Sequence, residues 1–412
     1  MLMDPLNHNS SSSPHHHQEE ESTSSDLQFH PITASSNSIH MRQLLIRCAH
    51  FISQSDFLSA SRLLSLLSSN STPYGDATER LVHHFSAALF RRLPSSSSSS
   101  LPLAPTSKDD GVGVEACYLS LNQITPFIRF SHLTANQAIL EAVEGGGQSS
   151  SKKQGIVHVV DFDIMHGVQW PPLMQALAER FPTPMLRITA TGRDLNSLHK
   201  TGDRLSKFAQ SLGLRFQFHP LLLLNDHDHH RLIPAALTLF PDETLAVNCV
   251  LYLHRLSKDD LRLLLHKIKA LNPKVVTIAE KEANFNHPLF MQRFLEALNH
   301  YSLIFDSLEA TLPPNSRERL AVEQVWFGRE IDDVVSGEGT KRRQRHERYE
   351  SWEIMLRSLG FSNIPLSPFA LSQAKLLLRL HYPSEGYHLQ ILHDSLFLGW
   401  QNRPLFSVSS WH

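Results

Sequence analysis

The fold is decided by residues 156–170, which read IVHVVDFDIMHGVQW. The first seven of these residues form a β-branched apolar run, which is typical of a strand buried on both faces. Similar runs begin at Met185, Leu214, Leu245 and Val275, at intervals of about 30 residues, the length of a strand with its crossover helix. Helical patterns separate the runs. The sequence therefore predicts right-handed βα units and an α/β fold with a mostly parallel, helix-covered sheet.

The composition limits the classes of function. The chain has 412 residues, and its 38 Lys and Arg against 40 Asp and Glu give a formal net charge of −2. That balance excludes a strongly basic nucleic-acid binder. Cys48, Cys117 and Cys249 lie in apolar patterns, so we expect reduced, buried thiols in an intracellular protein rather than disulfides. No run approaches the roughly 18 apolar residues of a membrane span, and no secretory signal is visible, so we expect a soluble protein.

The segments that flank the βα units have different patterns. Residues 1–39 are rich in Ser, His and Glu and poor in aliphatic residues, so we predict that they are disordered. Residues 40–145 carry helical apolar stripes, which predict a bundle with faces that must pack on something. Residues 387–411 alternate around a turn at 401–404, which predicts an antiparallel hairpin at the sheet edge.

Two sequence pairs match capping boxes, in which a side chain accepts from a backbone N–H three residues later. Asp76 with Glu79 predicts the start of one helix, and Thr134 with Gln137 predicts the start of another.

The carboxyl end of the first predicted strand is where an open parallel sheet binds ligands. Four polar candidates lie there: Asp161, Asp163, His166 and Gln169. A dinucleotide or adenosyl site needs a glycine-rich turn, and this turn has one glycine, Gly167. We therefore predict no cofactor, no metal and no catalytic residue, with these side chains bracing loops and the next helix. The alternative is a small-molecule or S-adenosylmethionine-type binder, or a methyltransferase, with the two aspartates in its cleft.

One basic cluster, KRRQRHER, occupies residues 341–348. Lys341, Arg342, Arg343 and Arg345 are candidates for a nuclear-localisation signal or for contacts with DNA phosphates. Glutamates follow at helical spacing, so a solvated helix face explains the cluster equally well. Because no zinc finger, basic zipper or recognition helix accompanies it, the cluster gives little support to autonomous reading of a DNA sequence.

Leucine-rich segments offer a second kind of partner site. Leu44 begins a seven-residue apolar repeat, and Leu63, Leu66 and Leu67 match an L-x-x-L-L co-regulator box. Core packing is the favoured interpretation of both patterns, and a partner groove is the alternative.

Several ordered blocks resemble the plant GRAS family of transcriptional regulators. Residues 157–177 resemble the family's VHIID block, residues 322–331 contain the Arg-Glu of its PFYRE region, and the last 61 residues carry its W-x7-G and W-x10-W spacings. The matching motif residues are His158, Asp161, Gly167, Trp170, Arg329, Glu330, Trp352, Gly360, Trp400 and Trp411. The match covers about residues 40–412, and its blocks occur in the family's order.

The resemblance divides residues 40–412 into five regions of a GRAS domain. They are leucine-rich region I at 40–105, the VHIID region at 120–190, leucine-rich region II at 195–231, the PFYRE region at 243–335 and the SAW region at 340–412. It also implies a Rossmann-like, methyltransferase-like α/β core from residue 155 onward. Residues 40–145 and about 313–350 then supply an α-helical cap.

The resemblance implies a function as well as a fold. The first helices and residues 336–352 look like the Lateral suppressor branch of the family. This implies a non-enzymatic nuclear regulator that acts through transcription factors and co-regulators, and through association with promoters, in axillary meristem initiation and shoot branching. Contact with DNA, either direct or through partners, and the formation of homo- or heterodimers are left open. No membrane association is implied.

Overall fold

The computed structural model describes residues 36–94, 111–144, 155–223, 237, 239–240 and 243–412. Most of the N-terminal segment that we predict to be disordered lies outside the described residues, which begin with a helix at Ser36. Residues 95–105 of leucine-rich region I and residues 224–231 of region II also lie outside them.

Helices precede the first strand, as the apolar stripes predict. They are α1 (Ser36–Ser53), α2 (Phe57–Ser69), α3 (Ala77–Arg91), α4 (Gly111–Ile124) and α5 (Pro126–Glu144). Strands then alternate with helices. These are β1 (Ile156–Asp161), α6 (Trp170–Ala178), β2 (Met185–Gly192), α7 (Leu195–Ser211), β3 (Phe216–Leu222), β4 (Glu243–Val250), α8 (Lys258–Ala270) and β5 (Val275–Lys281).

The last third of the chain adds more helices and then antiparallel strands. The helices are α9 (Phe290–Thr311), α10 (Arg317–Ala321), a π-helical turn (Val322–Phe327), α11 (Gly328–Ser336), α12 (Tyr349–Ser358) and α13 (Pro368–His381). The strands are β6 (Asn363–Ile364), β7 (Tyr387–Leu392), β8 (Ser395–Trp400) and β9 (Arg403–Trp411).

The described strands form one sheet in the order β3-β2-β1-β4-β5-β9-β8-β7, with β6 paired to β9. Strands β1 to β5 pair in parallel, and β9 runs antiparallel to β5. The parallel order 3-2-1-4-5 is that of a Rossmann-like sheet, with helices on both faces. The predicted α/β, mostly parallel fold class is confirmed.

The C-terminal tail differs from the predicted single hairpin. It forms three antiparallel strands, and β9 lies between β5 and β8, so the tail extends the sheet. The predicted turn is present, with Gln401 and Asn402 at φ 46 and 62, the positive values of a two-residue hairpin turn. A second such turn, at His393 and Asp394, was missed because this pair carries no glycine or proline signal.

One of the two predicted helix starts is correct. Asp76 precedes α3 and accepts a hydrogen bond of 2.9 Å from the backbone N–H of Glu79. The other prediction is wrong, because Thr134 lies buried inside the continuous helix α5 and Gln137 donates to Glu141 instead. The apolar face of α5 extends through this position, and its burial against the sheet outweighs the local capping signal.

The helices before β1 share one apolar core with α9, α11 and the antiparallel strands. Phe85 of α3 meets Phe294 of α9 edge-to-face at 5.7 Å, and Phe127 of α5 stacks on Phe406 of β9 at 4.7 Å between ring centroids. On the opposite face, α8 and α12 pack over β4, β5 and β9 around Trp411. Apolar burial therefore joins the cap helices to the sheet.

Two further expectations concern the cysteines and the membrane. Cys48, Cys117 and Cys249 are buried free thiols, as predicted. Within the described part of the chain, no helix combines the length and the apolar character that crossing a membrane requires.

Candidate functional site at the carboxyl ends of the strands

Asp161, the last residue of β1, is held by the protein's own side chains. Its Oδ2 accepts from Trp170 Nε1 and its Oδ1 accepts from Asn248 Nδ2, both at 2.9 Å. Gln169 Nε2 lies 3.1 Å from the side-chain oxygens of Asn136 and Asn248. Burial raises the pKa of Asp161 to about 7. Both carboxyl oxygens and the neighbouring amides are thus committed to bracing α5, β1 and β4 against one another.

The turn after β1 consists mostly of residues with side chains, whereas a cofactor-binding turn is rich in glycine. Asp163 and Met165 have φ values of 64 and 50, and Gly167 has a φ of 65. Asp163 pairs with Arg255, which follows β4. A Cβ atom at Gly167 would lie 2.8 Å from the methyl carbon of Thr201, so this glycine allows α7 to approach closely. The one glycine of the turn therefore serves packing.

A small cavity remains between this turn and the cap. Its volume is about 60 Å³, and Tyr118, His132 and Trp326 of the cap line it opposite Asp161. Pockets that hold small-molecule ligands measure about 300 to 1,000 Å³. A volume of this size holds a few water molecules. The residues present therefore do not fit S-adenosylmethionine, and no chemistry can be derived through that group.

Beside the cavity, three buried side chains meet that the sequence analysis missed. His254 Nδ1 lies 2.8 Å from Glu280 Oε2, and His346 Nδ1 lies 3.0 Å from the same oxygen. The two imidazole rings stack with centroids 3.7 Å apart. Burial lowers the pKa of His346 well below its ordinary value. Glu280 lies at the carboxyl end of β5 and His254 follows the adjacent parallel strand β4, so the strand-end rule could have found them. His346 lies 66 residues beyond Glu280.

The composition of this cluster is that of a metal site, but its geometry is not. An imidazole nitrogen binds a metal ion along its lone pair, which lies in the ring plane. The planes of His254 and His346 are inclined by only 21° and are stacked, so one ion cannot lie in both planes. We therefore interpret the three residues as a clamp between core and cap.

A second buried polar contact crosses from core to cap nearby. Lys281, at the end of β5, pairs with Glu330 of α11, and Tyr301 of α9 donates to the same carboxylate at 2.9 Å. Burial lowers the pKa of Lys281, and the negative charge of Glu330 opposes that shift. The motif residue Glu330 thus fixes the cap onto the carboxyl end of β5.

The basic cluster does not form the helix face that was one of its two interpretations. Residues 337–348, here called the strap, contain one 3-10 turn (Gly339–Lys341) and otherwise no regular secondary structure. Asp333 accepts from the backbone N–H groups of Arg343 and Gln344, and His254 O accepts from that of Arg345. These bonds replace those that a helix would make. The strap thereby ties α11 to the core beside the clamp.

The four basic candidates differ in exposure. Lys341 is exposed, Arg343 and Arg345 are half-buried, and Arg342 is 7% exposed and donates to Asn286 at 3.2 Å. Their roles as a nuclear-localisation signal or in contacts with DNA phosphates stay predictions.

The leucine candidates are mainly core residues. Leu44 and Leu67 are buried and Leu63 is half-buried, while Leu66 is 47% exposed. Their packing in the cap core accounts for the spacing of three of the four. Their role in binding a partner stays a prediction.

The remaining motif residues hold the fold together. His158 is buried in β1 and bonds Glu243 and Thr189, and Trp352 Nε1 donates to the carbonyl of Glu347. Gly360 has a φ of 85, which ends α12.

Two aromatic motif residues lie in the antiparallel strands. Trp400 Nε1 donates to Asp306 of α9 at 2.6 Å, and Trp411 is fully buried on the other face of the sheet. Of the other motif and cleft candidates, Arg329 is half-buried, and His166 is half-buried and stacks on Tyr118 with centroids 6.3 Å apart.

The comparison with protein families agrees with this architecture. A model described as the GRAS domain family matches residues 41–412. The chain belongs to the GRAS domain family. The GRAS domain thus includes both the cap helices and the whole sheet, with the clamp and the strap between them.

Curated and solved GRAS relatives resemble nearly the whole chain. Scarecrow-like protein 18 of Arabidopsis thaliana is 52% identical over 410 residues, covering 90% of this chain and 91% of that protein. Protein MONOCULM 1 of Oryza sativa subsp. japonica is 44% identical over 398 residues, covering 90% of this chain and 88% of that protein. The crystal structure of SCL7 in Oryza sativa has a TM-score of 0.75 at 35% identity and covers 90% and 99% of the two chains.

Proposed function

We propose that this GRAS protein is a non-enzymatic regulator of transcription in plant development, which acts in the nucleus through protein partners and through association with promoters. Family membership supports the proposal, because the GRAS blocks match over residues 41–412. The observation that carries the non-enzymatic part is the occupied strand end. Both carboxyl oxygens of Asp161 bond side chains of the protein, beside a cavity of about 60 Å³.

We further propose that the developmental process is axillary meristem initiation and shoot branching, the role that the resemblance to the Lateral suppressor branch implies. Transcription factors and co-regulators are the expected partners, with contact to DNA either direct or through them. The exposed Leu66 on α2 and Lys341 on the strap are the candidate contact residues that the fold leaves accessible.

A reporter experiment tests this function. The intact chain, fused to a fluorescent protein, should accumulate in nuclei of shoot-apex cells and change the transcript profile. A matched variant, Leu66→Asp, should fold normally, because the side chain is exposed, and should lose partners in a pull-down from the same nuclei. A chain that stays outside nuclei and changes no transcript would contradict the proposal.

A further inference from the structure

A second cavity, the junction pocket, lies where α9, the end of the strap and β9 meet. Its volume is about 240 Å³. Glu296 and His300 line it from α9, Arg348 from the end of the strap, and Arg403 from the start of β9, while Glu282 follows β5. The pocket therefore joins the cap, the strap and the sheet, and it is separate from the cavity at Asp161.

Two arginines bring positive charge to the junction pocket. Arg348 Nη2 donates to both carboxylate oxygens of Glu296, at 2.9 and 3.0 Å, and Nε lies 3.3 Å from one of them. This geometry leaves Nη1 of Arg348 for another acceptor. Within the described ranges, Arg403 is exposed and its guanidinium has no ion-pair or hydrogen-bond partner. The pocket thus holds donors that the fold does not use.

His300 adds a donor from the buried side. The residue is 4% exposed, and its Nε2 is buried without a hydrogen-bond partner in the described part of the chain. Burial lowers the pKa of His300 to about 3, so the ring is neutral and the tautomer with the proton on Nε2 can donate. A buried polar atom without a partner is costly, and an acceptor placed in the pocket would remove that cost.

The two glutamates of the pocket do not cancel this charge. Glu296 is neutralised by Arg348 and also accepts from the backbone N–H of Asn284. Burial raises the pKa of Glu282 to about 7, so this side chain is protonated for a large part of the time at neutral pH. The charge that remains is that of Arg403.

We propose that the junction pocket binds a phosphate group, carried by a phosphorylated side chain of a partner protein or present as free phosphate. Arg348, Arg403 and His300 all line the pocket, and they offer as donors Nη1 of Arg348, the guanidinium of Arg403 and the buried, unpartnered Nε2 of His300. A phosphate has three acceptor oxygens and more negative charge than a carboxylate, which has two oxygens. A bound phosphate would link α9, the strap and β9, and so would strengthen the attachment of the cap.

Calorimetric titration of the intact chain with inorganic phosphate, phosphoserine and acetate tests the proposal. Phosphate or phosphoserine should bind saturably below about 10 mM and more tightly than acetate. Arg403→Gln should weaken that binding at least about tenfold, the loss expected for one charge-assisted contact. The matched control Arg379→Gln, an exposed arginine on α13 that does not line the pocket, should bind as the parent does.

The relative affinities for phosphoserine and inorganic phosphate show which source of phosphate the pocket binds. Tighter binding of phosphoserine assigns the pocket to a phosphorylated partner, and tighter binding of inorganic phosphate assigns it to the free ion. The proposal is overturned if neither binds saturably below about 10 mM, if acetate binds as tightly, or if Arg403→Gln binds as the parent does. Equal thermal midpoints of the two arginine variants would show that any loss of binding is local.

Discussion

The parallel and antiparallel halves of the sheet meet the cap in different ways. At the end of β5, in the parallel half, the contact is polar and buried, with Lys281 paired to Glu330. In the antiparallel half it is largely apolar, with Phe406 of β9 stacked on Phe127 of α5 and Trp400 of β8 beside α9. Apolar packing supplies most of the free energy that attaches the cap to the sheet. The buried polar pairs instead destabilise any packing of the cap that would leave one of their charges buried without its partner.

The polar contacts occupy the place where a Rossmann-like sheet would hold a cofactor. Asp161, Glu280 and Lys281 all lie at the carboxyl ends of parallel strands, and each is bonded to a side chain of the protein. This end of the sheet is therefore a joint between core and cap.

The largest expected effect comes from Trp411→Ala in the antiparallel half. The indole is fully buried between β9 and the helices α8 and α12, and its loss should lower the free energy of unfolding by about 3 to 5 kcal/mol. Urea denaturation followed by circular dichroism measures the change. Ile354→Ala on α12, which is 71% exposed, is the matched control and should shift stability by no more than about 0.5 kcal/mol. An unchanged midpoint with lost partner binding would assign Trp411 to a contact surface instead.

On the polar side, Glu330→Gln should cost about 3 kcal/mol, because it leaves the ammonium of Lys281 buried without its carboxylate. Adding Lys281→Met should recover most of that loss, since the uncompensated charge is then gone. The same denaturation experiment measures both variants. If the two changes add, the residues are not coupled and the joint does not depend on their ion pair.

The α/β half of the fold was predictable because its signal is local and repeated. Apolar runs about 30 residues apart place β1 to β5, and Asp76 beside Glu79 places the start of α3. The tail was only partly predictable. The turn at His393 and Asp394 carries no glycine or proline, and the place of β9 between β5 and β8 depends on partners distant in sequence.

The site was predictable in its location but not in its contacts. The strand-end rule placed Asp161 correctly, whereas its bonds to Trp170 and Asn248 require knowledge of how β1 and β4 align. The helical spacing of glutamates after the basic cluster suggested a helix, yet the backbone N–H groups of Arg343 and Gln344 bond Asp333. Tertiary hydrogen bonds overrode a local pattern there, and no single-sequence signal reports them.

A smaller expected effect is the dependence of the free energy of unfolding on pH. Burial lowers the pKa values of several histidines, among them His84, His132, His300 and His346. Below about pH 6.5 the unfolded chain binds protons at these positions and the folded chain does not, so stability falls as the pH falls. Asp161 and Glu282, with pKa values raised to about 7 by burial, act in the opposite direction above about pH 4.

Because the histidines outnumber these carboxyls, we expect a net loss of about 2 kcal/mol between pH 6.5 and 5.5. Urea midpoints measured across that range check the sign. His300→Asn should reduce the slope, and the exposed His40→Asn should leave it unchanged. A stability that rises as the pH falls would mean that the buried carboxyls dominate.

The most direct test of the occupied strand end is a calorimetric titration of the intact chain with S-adenosylmethionine, with an adenosyl-binding methyltransferase as the positive control for the titrant. We predict no saturable heat for the parent chain or for Asp161→Ala, because side chains of the protein fill this end of the sheet. Saturable micromolar binding by the parent chain, lost in Asp161→Ala, would contradict the account.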